Sequence, residues 1–182
     1  GSFLLLILFG TLLLKLPIAV HEPITWIQSL FTATSAVTVT GLVVVDTGTQ
    51  FTLFGQVVIA ILIQCGGLGL MTFAIVTLIA LGGKIGFLER TVAREAFNQT
   101  DSSTLVATAK SVLMFALTVE LVGMSILTWY WSDELGWVTS LFHGFFYTVS
   151  AFNNAGFALS ADSLMPYVDD PDINLPITGL FI

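Results

Sequence analysis

Two stretches of the chain are apolar over lengths that only a lipid environment ordinarily demands. Between Asp46 and Lys84 there is no Asp, Glu, Lys or Arg, and between Ser102 and Ser132 only Lys110 and Glu120 interrupt the run. A hydrocarbon core of about 30 Å needs roughly 20 apolar residues as helix. The pattern therefore predicts spanning helices from Phe51 to about Leu81 and from Thr104 to about Trp131. Phe3 to about Val20 predicts an earlier span that closes near Lys15 and Pro17. It lacks the basic start and the Ala-x-Ala-like cleavage site of a signal peptide. Thr100, Asp101 and Ser102 offer caps for the Thr104 helix, and Trp129, Tyr130 and Trp131 form an aromatic belt at its far end.

Shorter, moderately apolar segments alternate with these spans. His21-Glu22-Pro23 predicts a helix restart, followed by Ile24 to Ala36, whose 13 residues reach only about 20 Å at the helical rise. That is too short to cross a bilayer. Strand-like residues and a glycine follow, Val37 to Leu42, and then an acidic turn at Asp46. The length fits a helix that enters partway and returns as extended backbone, which is tolerated at membrane depth only when buried in protein or lining an aqueous path. Asp133-Glu134 predicts the opening of a second such segment, Leu135 to Ala151.

Composition agrees with a lipid solvent. The 182 residues are 55% hydrophobic and only 9% charged, against roughly a quarter charged in soluble domains. The abrupt apolar start and the run LPITGLFI at the other end suggest a fragment of something larger. Cys65 is the only cysteine, so no disulfide can form within the chain. The net charge of −7 is unevenly placed. Lys84, Arg90 and Arg94 cluster in one connecting loop, which the positive-inside rule puts in the cytoplasm. Around Phe87–Phe97 that loop is amphipathic, and its basic residues serve topology or a cytosolic docking surface. The acidic segments near 133–134 and 162–172 then face outside. There they either solubilise the loops or concentrate cations at a mouth.

The chain also contains a repeat. FTATSAVTVTGL, Phe31 to Leu42, aligns with FYTVSAFNNAGF, Phe146 to Phe157, at a constant separation of 115 residues. Phe31 meets Phe146, Ser35 meets Ser150, Ala36 meets Ala151 and Gly41 meets Gly156. The architecture reads as span, re-entrant helix, extended glycine segment, span, twice over. A re-entrant helix entering from outside ends at mid-membrane with the negative end of its dipole inward, which favours a dehydrating cation. Backbone carbonyls of Thr38, Val39, Thr40 and Gly41, and of Asn153, Asn154, Ala155 and Gly156, can replace the water shell of K⁺. Glycine frees the backbone to turn successive carbonyls one way, and the Thr and Asn side chains either tether the segment or add oxygens.

TATSAVTVTGL and SAFNNAGF resemble the first two pore loops of the Trk/Ktr/HKT superfamily of K⁺ transporters, and within it the Ktr pore-forming subunits. The resemblance covers essentially the whole chain. It implies an all-α integral membrane fold, K⁺-channel-like, in which four span–pore helix–span repeats surround one pseudo-fourfold pore. Residues 1–83 would be the first repeat, 84–103 a cytoplasmic connection and 104–182 a second repeat truncated at the start of its last span. It implies a K⁺ filter at the eight residues named above, with no organic cofactor and with K⁺, or Na⁺, as the transported ion. Glycine rather than serine at position 41 implies K⁺ preference. Membrane lipid, the remaining repeats, a second copy in a homodimer and a cytosolic ring of nucleotide-binding regulatory subunits are the implied partners, with no nucleic acid. The location implied is a bacterial cell membrane, crossed several times. The gating loop of a third repeat and the basic residue of a fourth are not in this stretch.

Several residues stand apart from that pattern. Glu120 falls mid-span, where a carboxylate is costly; Lys110 is nearly three turns away, so a partner in another repeat or an ion-path role fits better. Gly66, Gly67 and Gly69 permit close packing, a bend or a gating hinge, and Gln64 beside them could satisfy loosened backbone. Ser140 and His143 share a helix face, the minimum for an intramembrane hydrolase, but no orienting acid accompanies them. A membrane scaffold or sensor is the other alternative, and it leaves the duplicated glycine segments without a purpose. His21 and His143 suggest no metal site.

Overall fold

A computed structural model describes residues 2–80 and 102–181. Among these residues every regular element is helical, apart from one isolated antiparallel bridge between Val20 and Phe51. Helix α1 spans Ser2–Leu14 and is followed by a 3₁₀ turn at Pro17–Ala19. Helix α2 spans Trp26–Val37, a single turn α3 spans Thr47–Gln50, and α4 spans Leu53–Ala80. Then come α5, Ser102–Leu135, α6, Trp137–Phe152, and α7, Pro171–Leu180. Among the described residues two helices are long and apolar enough to cross a membrane, over Leu53–Thr72 and Lys110–Leu135. The connection 84–103, with Lys84, Arg90, Arg94, the Phe87–Phe97 pattern and the Thr100–Asp101 cap, lies essentially outside the described residues.

Helix starts depart from the expected boundaries for local chemical reasons. Pro23 does not open α2. Thr25 does, because its hydroxyl accepts from the Gln28 N–H at 3.2 Å while its own N–H donates to Gln28 Oε1 at 2.7 Å. This reciprocal pair closes the capping box. Thr25→Ala should lower stability by about 1 kcal/mol, read as an earlier thermal midpoint of the purified protein. Asp133 and Glu134, expected to open the second short helix, instead lie in the last turn of α5. Gly136, at φ 75°, makes the corner into α6. The first apolar helix is also shorter than its pattern: α1 ends at Leu14, and Lys15 and Leu16 lead into the 3₁₀ turn at Pro17–Ala19.

The chain divides into two compact units. The first, residues 1–67 and 118–182, contains the buried core. Leu14, Ile24, Ala33, Ala36, Val37, Phe51, Ile59 and Ile63 pack with Phe146, Val149, Ala155 and Phe157 in one cluster. A second cluster gathers Leu127, Trp131, Tyr147, Ile173 and Ile177. Ser29 Oγ ties α2 to α1 by donating to the Thr11 carbonyl at 2.6 Å. At one end of this unit the His21 N–H donates to the Gln50 carbonyl at 2.9 Å and the Thr52 N–H to the Ala19 carbonyl at 3.0 Å. These bonds pin the start of α4 beside the end of the first helical stretch. The second unit, residues 68–117, holds the end of α4 and the start of α5; there Thr72 Oγ1 bonds back to the Leu68 carbonyl at 2.7 Å.

A candidate cation-coordinating site

The polar stretch after α2 is held by the last turn of that helix. Thr38 ends the helix at φ −88°, ψ 0°. Its N–H donates to the Thr34 carbonyl at 2.9 Å, the Val39 N–H to Ala36 at 3.3 Å and the Thr40 N–H to Ser35 at 3.0 Å. The segment after α6 repeats this arrangement 115 residues later. Asn153 ends α6 at φ −84°, ψ 2°, and the N–H groups of Asn153, Asn154 and Ala155 return to Val149 at 3.2 Å, Ala151 at 2.9 Å and Ser150 at 2.7 Å.

The hand of the backbone alternates in both segments. Val39 has φ 55° and Gly41 φ 72°, while Asn154 has φ 56° and Gly156 φ 69°; the residues between them do not share the positive φ. Alternating hand turns successive carbonyls toward one side while the N–H groups bond back to the helix. Among the described residues, no hydrogen bond is donated to the carbonyls of Thr38–Gly41 or Asn153–Gly156. Four acceptors in a row thus receive no hydrogen bond in each segment, while the N–H groups of its first three residues are held by carbonyls of the preceding helix.

Val39 is the costly member. Left-handed backbone suits glycine and is tolerated by asparagine, but a β-branched residue there is a true outlier. Strain of this kind persists only where the surroundings over-determine it, and it clusters at functional sites. Here three N–H bonds to the end of α2 impose it. The sequence gives no hint of this at Val39.

The two segments meet. A Cβ on Gly41 would lie 2.7 Å from the Ala155 carbonyl oxygen and 3.3 Å from the Gly156 Cα, and a Cβ on Gly156 would lie 3.4 Å from the Gly41 Cα. The two expected segments thus come together at Gly41, Ala155 and Gly156. Thr38, Thr40, Asn154 and Gly156 are exposed, Val39 and Gly41 half-buried, and Asn153 and Ala155 buried.

The hydroxyl and amide groups act as tethers. Thr38 Oγ1 donates to the Thr34 carbonyl at 2.8 Å, and Thr40 Oγ1 donates to Ser35 Oγ at 3.1 Å. Ser150, aligned with Ser35, donates to the Phe157 carbonyl at 2.7 Å. Asn153 turns away from the free carbonyls and donates through Nδ2 to Gln64 Oε1 at 2.8 Å and to the Val149 carbonyl at 2.9 Å. Gln64 Nε2 in turn donates to Glu120 Oε2 at 3.0 Å. Gln64 therefore serves side chains, not loosened backbone, and α4 runs unbroken through Gly66, Gly67 and Gly69. Gly66 and Gly67 allow close approach: a Cβ on the first would overlap the Val37 carbonyl oxygen, and on the second Asn153 Oδ1. The identity of Ser35 and Ser150 across the repeat marks the tethers; the Gln64–Glu120 link has no such mark, since the partners are 56 residues apart.

The acidic groups nearby are partly engaged. Asp46 accepts from the Thr49 N–H and hydroxyl, each at 2.7 Å, capping α3. Asp170 caps α7 through the Asp172 N–H at 3.0 Å and also accepts from the Tyr130 hydroxyl. Burial holds the neighbouring Tyr167 phenol above its ordinary pKa. No group of three or more metal-ligating side chains occurs among the described residues. The Ser140 hydroxyl is buried without a hydrogen-bond partner there, and the His143 ring packs against Trp131 and Tyr147. The pair is not the bonded nucleophile and base that hydrolysis requires.

The sequence has close relatives. It is 52% identical over 181 residues to the Ktr system potassium uptake protein B of Bacillus subtilis, which covers 100% of this chain and 41% of the relative. The protein of the same name from Vibrio alginolyticus is 43% identical over 181 residues, covering 100% of this chain and 40% of the relative. The potassium/sodium uptake protein NtpJ of Enterococcus hirae is 39% identical over 184 residues, covering 100% and 41%. The chain thus spans about two fifths of the length of these curated relatives. The TrkH family, described as cation transport protein, matches residues 3–182. With the match covering nearly every residue, the chain belongs to the TrkH family of cation transport proteins, a family of transporters and not of enzymes.

Proposed function

We propose that the chain supplies part of a K⁺ uptake pathway in a bacterial cell membrane, with dehydrated K⁺ passing the carbonyls of Thr38–Gly41 and Asn153–Gly156. The observation that carries this reading is the duplicated backbone: two helix ends, each followed by alternating hand, free carbonyls and a glycine that meets its counterpart. The names of the relatives, potassium uptake proteins, support the choice of ion.

K⁺ entering such a site exchanges water oxygens for protein carbonyls. The carbonyl ends of α2 and α6 lead directly into the two segments and add the negative end of each helix dipole. With 12 and 16 residues, these helices reach about 18 and 24 Å, short of the hydrocarbon thickness, which supports reading them as re-entrant. Residues 1–83 and 104–182 are then two span–pore helix–span repeats joined by a cytoplasmic connection at 84–103, and the acidic segments at 133–134 and 162–172 face outside. Two repeats leave a fourfold pore half built, so the pathway needs the rest of the protein. A homodimer on a cytosolic ring of nucleotide-binding subunits remains the expected assembly, and Na⁺ an alternative ion.

The test is K⁺ influx and growth at low K⁺ in a bacterium lacking K⁺ uptake, supplied with the full-length protein and with Gly41→Ser or Gly156→Ser. Rescue by the unsubstituted protein, with weakened K⁺ influx or added Na⁺ entry in the variants at equal expression, is the expected result. Undiminished K⁺ selectivity in both variants would remove the filter from these segments, as a scaffold role for the glycines would allow.

A further inference from the structure

The first carbonyl segment is held by its own helix, whereas the second is also held by two other helices. Thr38, at the head of the first segment, bonds back to Thr34 and Ala36 in its own helix and pairs with the Thr40 hydroxyl at 3.4 Å within its own segment. Asn153 occupies the aligned place in the second segment, and its buried amide reaches across to Gln64 of α4, which reaches Glu120 of α5. Asn153 and Glu120 are 4% and 8% exposed, so water competes little for these bonds.

The chain of bonds has a direction. A carboxylate oxygen accepts and an amide has one accepting and two donating atoms. Glu120 Oε2 accepts from Gln64 Nε2, which leaves Gln64 Oε1 to accept from Asn153 Nδ2. With Glu120 as the carboxylate, a reversed Gln64 would set oxygen against oxygen and NH₂ against NH₂, losing both bonds. Asn153 is thereby fixed with Nδ2 toward Gln64 and the Val149 carbonyl, and with Oδ1 against the bare Cα of Gly67. Its backbone is the first residue of the segment that continues through Asn154 to Gly156.

We infer that Glu120 is a positioning residue for the second carbonyl segment: through Gln64 it sets the orientation of Asn153 and so the geometry that distinguishes K⁺ from Na⁺. This rests on the K⁺-pathway reading above. It assigns the intramembrane carboxylate a role in selectivity without placing it on the ion's path.

Glu120→Gln keeps the shape but offers Gln64 a partner that both donates and accepts, so Gln64 can turn round. Gln64→Met keeps the length and removes the relay. In the reconstituted full-length protein, each should lower the ratio of K⁺ to Na⁺ flux about fivefold, the weight of one hydrogen bond. The double variant should fall no further than either single one, because residues in one network are not additive. Gly156→Ser serves as the reference. If it lowers the ratio while Glu120→Gln and Gln64→Met leave it unchanged, the inference is overturned and the pathway reading stands, whatever happens to protein level or melting. If Gly156→Ser also leaves the ratio unchanged, both are overturned. Should Glu120→Gln fail to reach the membrane, Gln64→Met decides alone.

Discussion

Gly41→Ala should remove most K⁺ uptake at low external K⁺, and Gly156→Ala should retain more of it. Both glycines have left-handed backbone, φ 72° and 69°, which costs an alanine about 1–2 kcal/mol. Their surroundings differ. The new Cβ at position 41 would lie 2.7 Å from the Ala155 carbonyl oxygen, closer than real Cβ contacts come, and that oxygen belongs to the facing segment. At position 156 the nearest atom would be the Gly41 Cα at 3.4 Å, an ordinary contact. One substitution therefore adds strain alone, and the other also displaces a carbonyl from the proposed pathway. With 1.4 kcal/mol per tenfold, the strain by itself predicts a decrease of about tenfold for Gly156→Ala, with a larger one for Gly41→Ala. Initial K⁺ influx at equal membrane abundance measures both. Equal decreases would show that contact between the segments does not matter to uptake.

Gly66→Val is expected to have the other large effect, through the scaffold. A Cβ at Gly66 would overlap the Val37 carbonyl oxygen, which belongs to backbone at the end of α2 and cannot rotate aside. Either α4 retreats or the end of α2 moves, and Thr38–Gly41 hang from that end. Forcing a large residue into a packed site costs about 1–3 kcal/mol, so both abundance in the membrane and K⁺ influx should fall. Gly67→Ala acts on the second segment instead, because its Cβ would overlap Asn153 Oδ1 and crowd Asn153 Cγ and Cβ, a buried side chain held by Gln64 and the Val149 carbonyl. Gly179→Ala is the control: a Cβ there meets nothing within 4 Å, and alanine favours helix by about 1 kcal/mol over glycine. Detergent melting curves of the three variants separate these cases, and a Gly66→Val protein that melts like the unsubstituted one would refute the close packing.

The sequence by itself determined the solvent, the helical class and the positions of the two polar segments. Each depends on local facts: uncharged runs long enough for a bilayer, helices too short for one, and the repeated Ser-Ala-x-x-x-x-Gly that links Ser35–Gly41 with Ser150–Gly156. Helix boundaries were less legible because caps act through single hydrogen bonds. The Thr25–Gln28 capping box displaced the start expected at Pro23, and Asp133-Glu134 closed α5 where their charge suggested an opening. Tertiary structure alone decided the left-handed backbone at Val39, since its side chain opposes that conformation and only the bonds to the end of α2 impose it. It alone joined Gln64, Glu120 and Asn153, and it alone set Gly66 against Val37 and Gly41 against Gly156. Helical pitch and apolar length are read along the chain, whereas a hydrogen bond across 56 residues or a missing Cβ at a crossing has meaning only once distant backbones have met.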